Sequence, residues 1–156
     1  MSTNDIRELD FEPISERWNE YFLEDGTRIK GRLILLKLLG PKNIQLVEGA
    51  QLQAKTQNIF VVSAPDHLKG PPGPPLTPNE ISSAFQKGVL IQIRESKEEW
   101  NEYRIIDTGQ TFKMKLVASE IYRLPDRYDN EGQPVYVIFN TIAIAPGPAR
   151  SRFPTP

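Results

Sequence analysis

One tetrapeptide that occurs twice constrains this chain more than any other feature. Trp18-Asn19-Glu20-Tyr21 returns as Trp100-Asn101-Glu102-Tyr103, an offset of 82 residues. The likeness runs on past each copy. The first continues through Leu23-Glu24-Asp25-Gly26 into the alternating run Thr27 to Leu33. The second continues through Ile105-Ile106-Asp107-Thr108-Gly109 into Gln110 to Leu116, with one extra residue at the turn. The closing segments also correspond: Asn58-Ile59-Phe60-Val61-Val62-Ser63-Ala64-Pro65 is echoed by Asn140-Thr141-Ile142-Ala143-Ile144-Ala145-Pro146. A shared turn and a shared ending at nearly constant spacing argue for duplication of one small unit, which fixes the architecture before any element is assigned.

Each unit reads as β. Asp25-Gly26 stands between alternating runs, the strongest short-range hairpin signal, because glycine reaches positive φ without a Cβ clash. Tyr21, Leu23, Ile29, Gly31 and Leu33 then share one face, and charged residues take the other. Leu33 to Leu39 is apolar on both faces, as in a strand buried from two sides or bent around a barrel. Turns at Gly40-Pro41-Lys42-Asn43 and Glu48-Gly49 bracket Ile44-Gln45-Leu46-Val47, and Gln51 to Lys55 and Ile59 to Val62 close the unit. The second unit uses Tyr103 to Ile106, Thr111 to Tyr122 and Val135 to Ile144, with a late turn at Asp129-Asn130-Glu131-Gly132. About five short strands in about fifty residues is the scale of an SH3-like, Sm-like or OB-type barrel.

Leu23-Glu24-Asp25-Gly26 followed by Ile29, Gly31 and Leu33 resembles the first Sm motif. Asn43-Ile44-Gln45-Leu46 is similar to the asparagine-led strand that closes that motif, slightly displaced, and Lys55-Thr56-Gln57-Asn58-Ile59 is similar in placement to the second motif. The resemblance covers mainly the first unit. It implies a mainly β fold of two tandem five-stranded barrels whose edges can build rings. In Sm proteins that bind uridine-rich RNA it also implies a pocket with an aspartate, an asparagine and an arginine-glycine pair. Here Asn43 matches, Lys37 lies near the aspartate position, and Lys55-Thr56 stands where the pair belongs. Val137-Ile138-Phe139-Asn140 has neither arginine nor glycine. The resemblance supports a fold more than an RNA pocket.

Between the units, Pro65 to Leu76 is too rich in proline for a helix or a ladder and reads as an extended polyproline II spacer. Its overlapping prolines, Pro71, Pro72, Pro74 and Pro75, also have the spacing that aromatic grooves recognise. Thr77-Pro78-Asn79-Glu80 is a capping box with proline at the first helical position, so one short helix is expected from Pro78 to Lys87, with Ile81, Ala84 and Phe85 facing a barrel. Val89 to Ile93 reads as an added strand. The division expected is a tail over 1–13, a first barrel over 14–66, a connector over 67–96, a second barrel over 97–147 and a proline-rich tail over 148–156.

Chemistry is sparse. There is no cysteine, which excludes thiol nucleophiles and cysteine-ligated metal, and the single histidine, His67, has no nucleophile beside it in sequence. Gly70 to Gly73 is prolyl and lacks the amides of a phosphate loop. Asp126, Asp129 and Glu131 do not have calcium-loop spacing, and turn chemistry accounts for them. Glu24-Asp25 and Glu98-Glu99 read as solvated edges. No enzyme, cofactor or metal is therefore expected.

Lys and Arg number 19 against 20 for Asp and Glu, so a net charge of −1 gives no global attraction for polyanions. Locally, Arg28, Lys30 and Arg32, and again Lys113 and Lys115, alternate with apolar residues and point to one side of a strand. With Asn43 and Lys55 they form the candidate nucleic-acid surface, while Phe112 points away by parity and Trp18 and Trp100 are expected to anchor cores. The leading expectation is a cytoplasmic, non-catalytic interaction or assembly module for a protein partner or self-association, without a membrane segment. The alternative is an Sm-like RNA or single-stranded nucleic-acid binder.

Overall fold

The computed structural model describes residues 6–41 and 52–147. Asn43, the strand expected at Ile44-Gln45-Leu46-Val47 and the proline-rich tail over 148–156 lie outside the described residues. In chain order the elements are β1 (Ile6–Leu9), β2 (Phe11–Ser15), β3 (Trp18–Leu23), β4 (Arg28–Pro41), β5 (Gln53–Ser63), a single 3-10 turn (Asp66–Leu68), α1 (Pro78–Phe85), β6 (Val89–Ile91), β7 (Ile93–Lys97), β8 (Asn101–Ile105), β9 (Thr111–Tyr128) and β10 (Pro134–Pro146). The protein is mainly β. Among the described residues no helix is long and apolar enough to cross a membrane.

The strands pair into two five-stranded antiparallel sheets. One has the order β1-β4-β3-β7, with β5 on the other edge of β4; the second has the order β10-β9-β8-β2, with β6 on β9. Residues 6–13 are therefore not a tail. Pro13 is tolerated there because it lies on an edge strand beside a register skip between Pro13 and Ser15, where its missing amide costs nothing. The added strand expected at Val89 to Ile93 is likewise two strands, one in each sheet.

Strand exchange links the sheets. β2, which precedes the first copy of the tetrapeptide, pairs with β8 of the second, placing Phe11 opposite Ile105. β7, which precedes the second copy, pairs with β3 of the first, placing Leu23 opposite Ile93. The chain crosses between sheets at Asp10 and again at Gln92. At each crossing the carbonyl accepts an amide from the opposite hairpin, Ile106 N to Asp10 O and Glu24 N to Gln92 O, both at 2.9 Å. The expectation of two tandem barrels is corrected accordingly: the sheets are not closed, and each takes in one strand from beside the other copy of the tetrapeptide. The physical reason is size, since a unit of about fifty residues buries little apolar surface alone and gains by pooling its core with another.

The cores are pooled. Leu9, Leu33, Leu35 and Leu38 pack with Tyr103, Ile105, Phe112, Met114 and Leu116, while Tyr21, Leu23 and Ile29 pack with Ile91 and Ile121. The alternating positions of β4 behave as their parity predicts, until a register skip between Leu35 and Lys37 turns Leu36 outward at 49% exposure. Of the runs expected at Gln51 to Lys55 and Ile59 to Val62, the described strand residues belong to one continuous strand, β5, from Gln53 on, and Gln51 lies outside the described residues.

Two buried polar knots sew the sheets together. Asn19 Nδ2 donates to Tyr21 Oη (3.1 Å) and across to the Leu116 carbonyl (2.8 Å), while Asn19 Oδ1 accepts Glu99 N (2.9 Å). Asn101 Nδ2 donates to Tyr103 Oη (3.2 Å) and across to the Leu33 carbonyl (2.9 Å), while its Oδ1 accepts Arg17 N (2.8 Å). Tyr21 donates to Glu98 Oε2 (2.8 Å), which also accepts Ala118 N (2.9 Å). Tyr103 donates to Glu16 Oε2 (2.7 Å), which also accepts Leu35 N (3.2 Å). Both amide groups are thus fully used, which is what makes their burial affordable in free-energy terms.

Candidate functional site

The connector is not a free spacer. From Gly70 to Pro75 only the two glycines own amide hydrogens, and both are bound by the turn between β9 and β10: Gly70 N donates to Gly132 O and Gly73 N to Asp129 O, each at 3.0 Å. Polyproline II has about three residues per turn, so positions 70, 73 and 76 share one edge. Gly70, Gly73 and Leu76 are half-buried on that edge, whereas Pro71, Pro72, Pro74 and Pro75 are exposed. Glycine is required where the edge touches. A Cβ at Gly70 would lie 2.2 Å from Tyr128 Cζ, and one at Gly132, whose φ is 80°, would lie 2.6 Å from the Gly70 carbonyl oxygen. Collagen places a glycine at every third residue for the same reason, close approach of a polyproline backbone.

The cradle beneath the ribbon is built by residues that the tetrapeptide repeat does not supply. Asp129 Oδ1 accepts Glu131 N (2.8 Å) and Gln133 N (2.9 Å), shaping the turn, and Gln133 Oε1 accepts Ala64 N (3.0 Å) from the start of the connector. At the base, Asp25 Oδ2 accepts Tyr136 Oη (2.7 Å) and Arg123 Nη1 (2.8 Å), and Asp25 Oδ1 accepts Thr27 N (2.9 Å). Burial works against the charge on Asp25, but the hydrogen bonds from Tyr136, Thr27 and Arg123 outweigh it and hold the carboxyl below the usual range. Burial pushes the Tyr136 phenol up, and Asp25 adds to that shift. Asp25, expected as part of a solvated edge, is instead the hub that ties the first hairpin to β9 and β10.

Beside the cradle, β9 departs from its ladder. Pairing jumps from Pro134 opposite Tyr128 to Val135 opposite Leu124, so residues 125–127 bulge outward, with Asp126 at a φ of 60°. A hollow of about 580 Å³ lies between the ribbon and this bulge, lined in part by Leu76, Glu80, Arg127 and Tyr128. His67 is exposed and lines a smaller hollow of about 210 Å³ with Arg123, Asp126 and Tyr128. Helix α1 has the expected box, Glu80 N to Thr77 Oγ1 at 3.2 Å and Thr77 N to Glu80 Oε1 at 3.1 Å, and ends at Phe85 rather than Lys87. Phe85 meets Tyr122 and Phe139 edge-on at 5.0 and 5.7 Å.

The basic strand faces are decorated differently from the sequence expectation. Trp18 and Trp100 do not anchor cores; Trp18 is 36% exposed on the outer face. Lys30 Nζ and the Arg32 guanidinium lie 5.2 and 5.7 Å from the Trp18 ring centre, and Lys113 and Lys115 Nζ each lie 4.7 Å from that of Trp100. Parity explains this outcome: Asn19 and Asn101 must point inward to tie the knots, so their neighbours point outward. Arg28 pairs with Glu20, and Arg32 reaches Glu16 at 3.8 Å, whereas Lys30, Lys113 and Lys115 have no ion pair among the described residues. Lys55 sits beyond the register skip, opposite Lys37, away from the Arg28 to Arg32 stripe. Phe112 is buried, as its parity required.

The residues that sequence reasoning missed are Glu16, Glu98, Asp25 and Tyr128. Glu16 and Glu98 carried a usable signal, because they stand two residues before the repeated tryptophans at the same offset of 82. No protein-family model, curated protein or solved structure matches the chain.

Proposed function

We propose that this protein is a non-catalytic interaction module in which two copies of one small β unit, interlocked by strand exchange, hold a proline ribbon outward for a protein partner. The observation that carries the reading is the three-residue rhythm of exposure along the connector: glycines inward, Pro71, Pro72, Pro74 and Pro75 outward. A polyproline ligand fixed in advance has already lost the backbone freedom that binding would otherwise remove. Duplication is part of the proposal and is supported by the reciprocal knots at Asn19 and Asn101. So is kinship of the unit with Sm-like and SH3-like small barrels, supported by the Asp25-Gly26 hairpin and the spacing of Ile29, Gly31 and Leu33.

The test is titration of isolated proline-groove domains of the SH3, WW and EVH1 types with the whole chain. Binding by at least one of them, weakened in Pro72→Ala and Pro75→Ala, is expected; failure of all of them to bind overturns the reading. Self-assembly through sheet edges is the variant of this proposal, and a monomer at every concentration in solution excludes it.

A second reading rests on the tryptophans. An outward-placed indole beside lysines that have no ion pair among the described residues suits a base stacked against phosphate, and Trp18 beside Lys30 and Trp100 beside Lys113 and Lys115 supply that arrangement. Titrating a single-stranded oligonucleotide while following tryptophan fluorescence at two salt concentrations tests it. Quenching with a steep salt dependence, weakened in Lys113→Ala/Lys115→Ala, is expected, and unchanged fluorescence at low salt removes it.

A further inference from the structure

The ribbon has a direction, an inference that rests on the reading of it as a partner's ligand. From Lys69 to Pro75 the chain runs Lys-Gly-Pro-Pro-Gly-Pro-Pro. A groove with two aromatic-walled slots takes two apolar dipeptides from a polyproline ligand, and the residue between them must point away from the groove. Here that residue is Gly73, already turned toward Asp129 of its own chain, while Pro71-Pro72 and Pro74-Pro75 are exposed on the other two edges, Pro71, Pro72 and Pro74 also lining the open hollow toward Arg127 and Tyr128. The edge that a partner leaves unread is the edge this protein uses to hold the ribbon.

A left-handed threefold helix looks similar from either end, so a groove can take such a ligand in both directions, and a flanking cation decides between them. We propose that the ribbon is read from its Lys69 end by an SH3-type domain, with Pro71-Pro72 and Pro74-Pro75 in the two slots and the Lys69 ammonium against an acidic residue beside them. Lys69 lies two residues before the first proline pair. Two residues beyond the second pair stands Thr77, which carries no charge and whose hydroxyl is committed to the cap of α1. Lys69 Nζ is 3.2 Å from Asp66 Oδ1 in an ion pair whose carboxylate side is 98% exposed, so a partner's acid exchanges for it at little cost. Arg127, in the hollow beside Leu76, is the one cation lining that hollow near the opposite end of the ribbon.

The experiment titrates the full chain against three isolated domains: an SH3 domain that selects basic-first proline ligands, one that selects basic-last ligands, and a WW domain. The basic-first domain is expected to bind most tightly. Pro72→Ala, Pro75→Ala and Lys69→Ala should each weaken it by about tenfold, and Arg127→Ala by less than about twofold. All four positions are exposed, and circular dichroism verifies that each variant keeps its fold. Preference for the basic-last or the WW domain overturns the direction and leaves the ribbon reading standing, as does loss of binding in Arg127→Ala instead of Lys69→Ala. Binding by none of the three overturns the direction, and the ribbon reading falls with it when an EVH1 domain also fails to bind.

Discussion

The surroundings of Asn19 and Asn101 match atom for atom in role, whereas those of Asp25 and Asp107, two aspartates at the same offset, share only a turn. Around the asparagines each amide, phenol and carboxylate of one half has its counterpart in the other. Around Asp25, Tyr136, Arg123 and Thr27 converge; Asp107 is exposed and has none of them. The repeated parts are buried and hold the two sheets together. The unrepeated parts, namely Asp25, the Asp129 to Gln133 turn, the bulge at 125–127 and the glycines of the connector, together hold the ribbon. Under the proposed reading, the matching knots are the scaffold and the unmatched residues are the surface that holds the ribbon.

Alkaline pH should break that contrast most completely. Burial pushes the phenols of Tyr21, Tyr103 and Tyr136 well above their ordinary value, so the folded state favours the neutral form. A raised folded pKa means that the stabilisation is intact below the unfolded value of about 10 and is lost as pH climbs through the folded one. Both knots and the Asp25 hub then fail in one event, and tyrosinate absorbance should rise in step with loss of β circular dichroism. A tyrosinate signal from Tyr136 that precedes unfolding would show the display end to be independent of the scaffold.

Asn19→Ala and Asn101→Ala come next. Each strands one buried carbonyl and one amide, a cost of about 3 kcal/mol, and equivalence of the knots requires the two values, from urea unfolding, to agree within about 1 kcal/mol. The double variant should not fold, since the total approaches the whole stability of a domain of about 5–15 kcal/mol. Unequal costs would mean that the likeness of the knots is geometric only.

The β hairpins were the part legible in sequence, because hairpin chemistry at Asp25-Gly26 and period-two burial along β4 are local. Strand exchange was not, since nothing in Phe11 to Ser15 states whether it pairs with Leu23 nearby or with Ile105 far along the chain. Asn19 and Asn101 were visible as a repeat but not as inward-facing knots, so their tryptophans were assigned to the core. That the connector holds no strand or helix before Pro78 beyond one 3-10 turn was legible from its prolines. Its docking was not, because the contact depends on Tyr128 and Gly132, distant residues whose own sequence context says only strand and turn.

Within the scaffold the halves differ in how they fill one place. Gly31 stands opposite Phe60, where Met114 stands opposite Ile144, so a small residue faces a large one in the first half and two middling ones meet in the second. A Cβ at Gly31 would lie 2.8 Å from Phe60 Cε1. Gly31→Ala should therefore cost about 2 kcal/mol by overpacking, and most of that should return in the Phe60→Ile background. An equal cost in both backgrounds would place the strain in the backbone rather than in the packing of the pair.

The smallest effect on stability is expected at the display end, where it should be the most local. Gly70→Ala puts a Cβ into the Tyr128 ring, and the ribbon must leave its cradle or push the ring aside. Neither sheet depends on that contact, so global unfolding should shift by less than about 1 kcal/mol. The amides of Gly73 and of residue 70 report the change directly, since proline leaves no others between positions 70 and 75. Their hydrogen exchange should accelerate strongly while that of Leu33 and Leu116 in the cores stays as it was. Pro72→Ala, on the outward edge, should leave both amides protected. If Gly70→Ala instead weakened the cores, the ribbon would be part of the scaffold, and the division between what repeats and what is displayed would not hold.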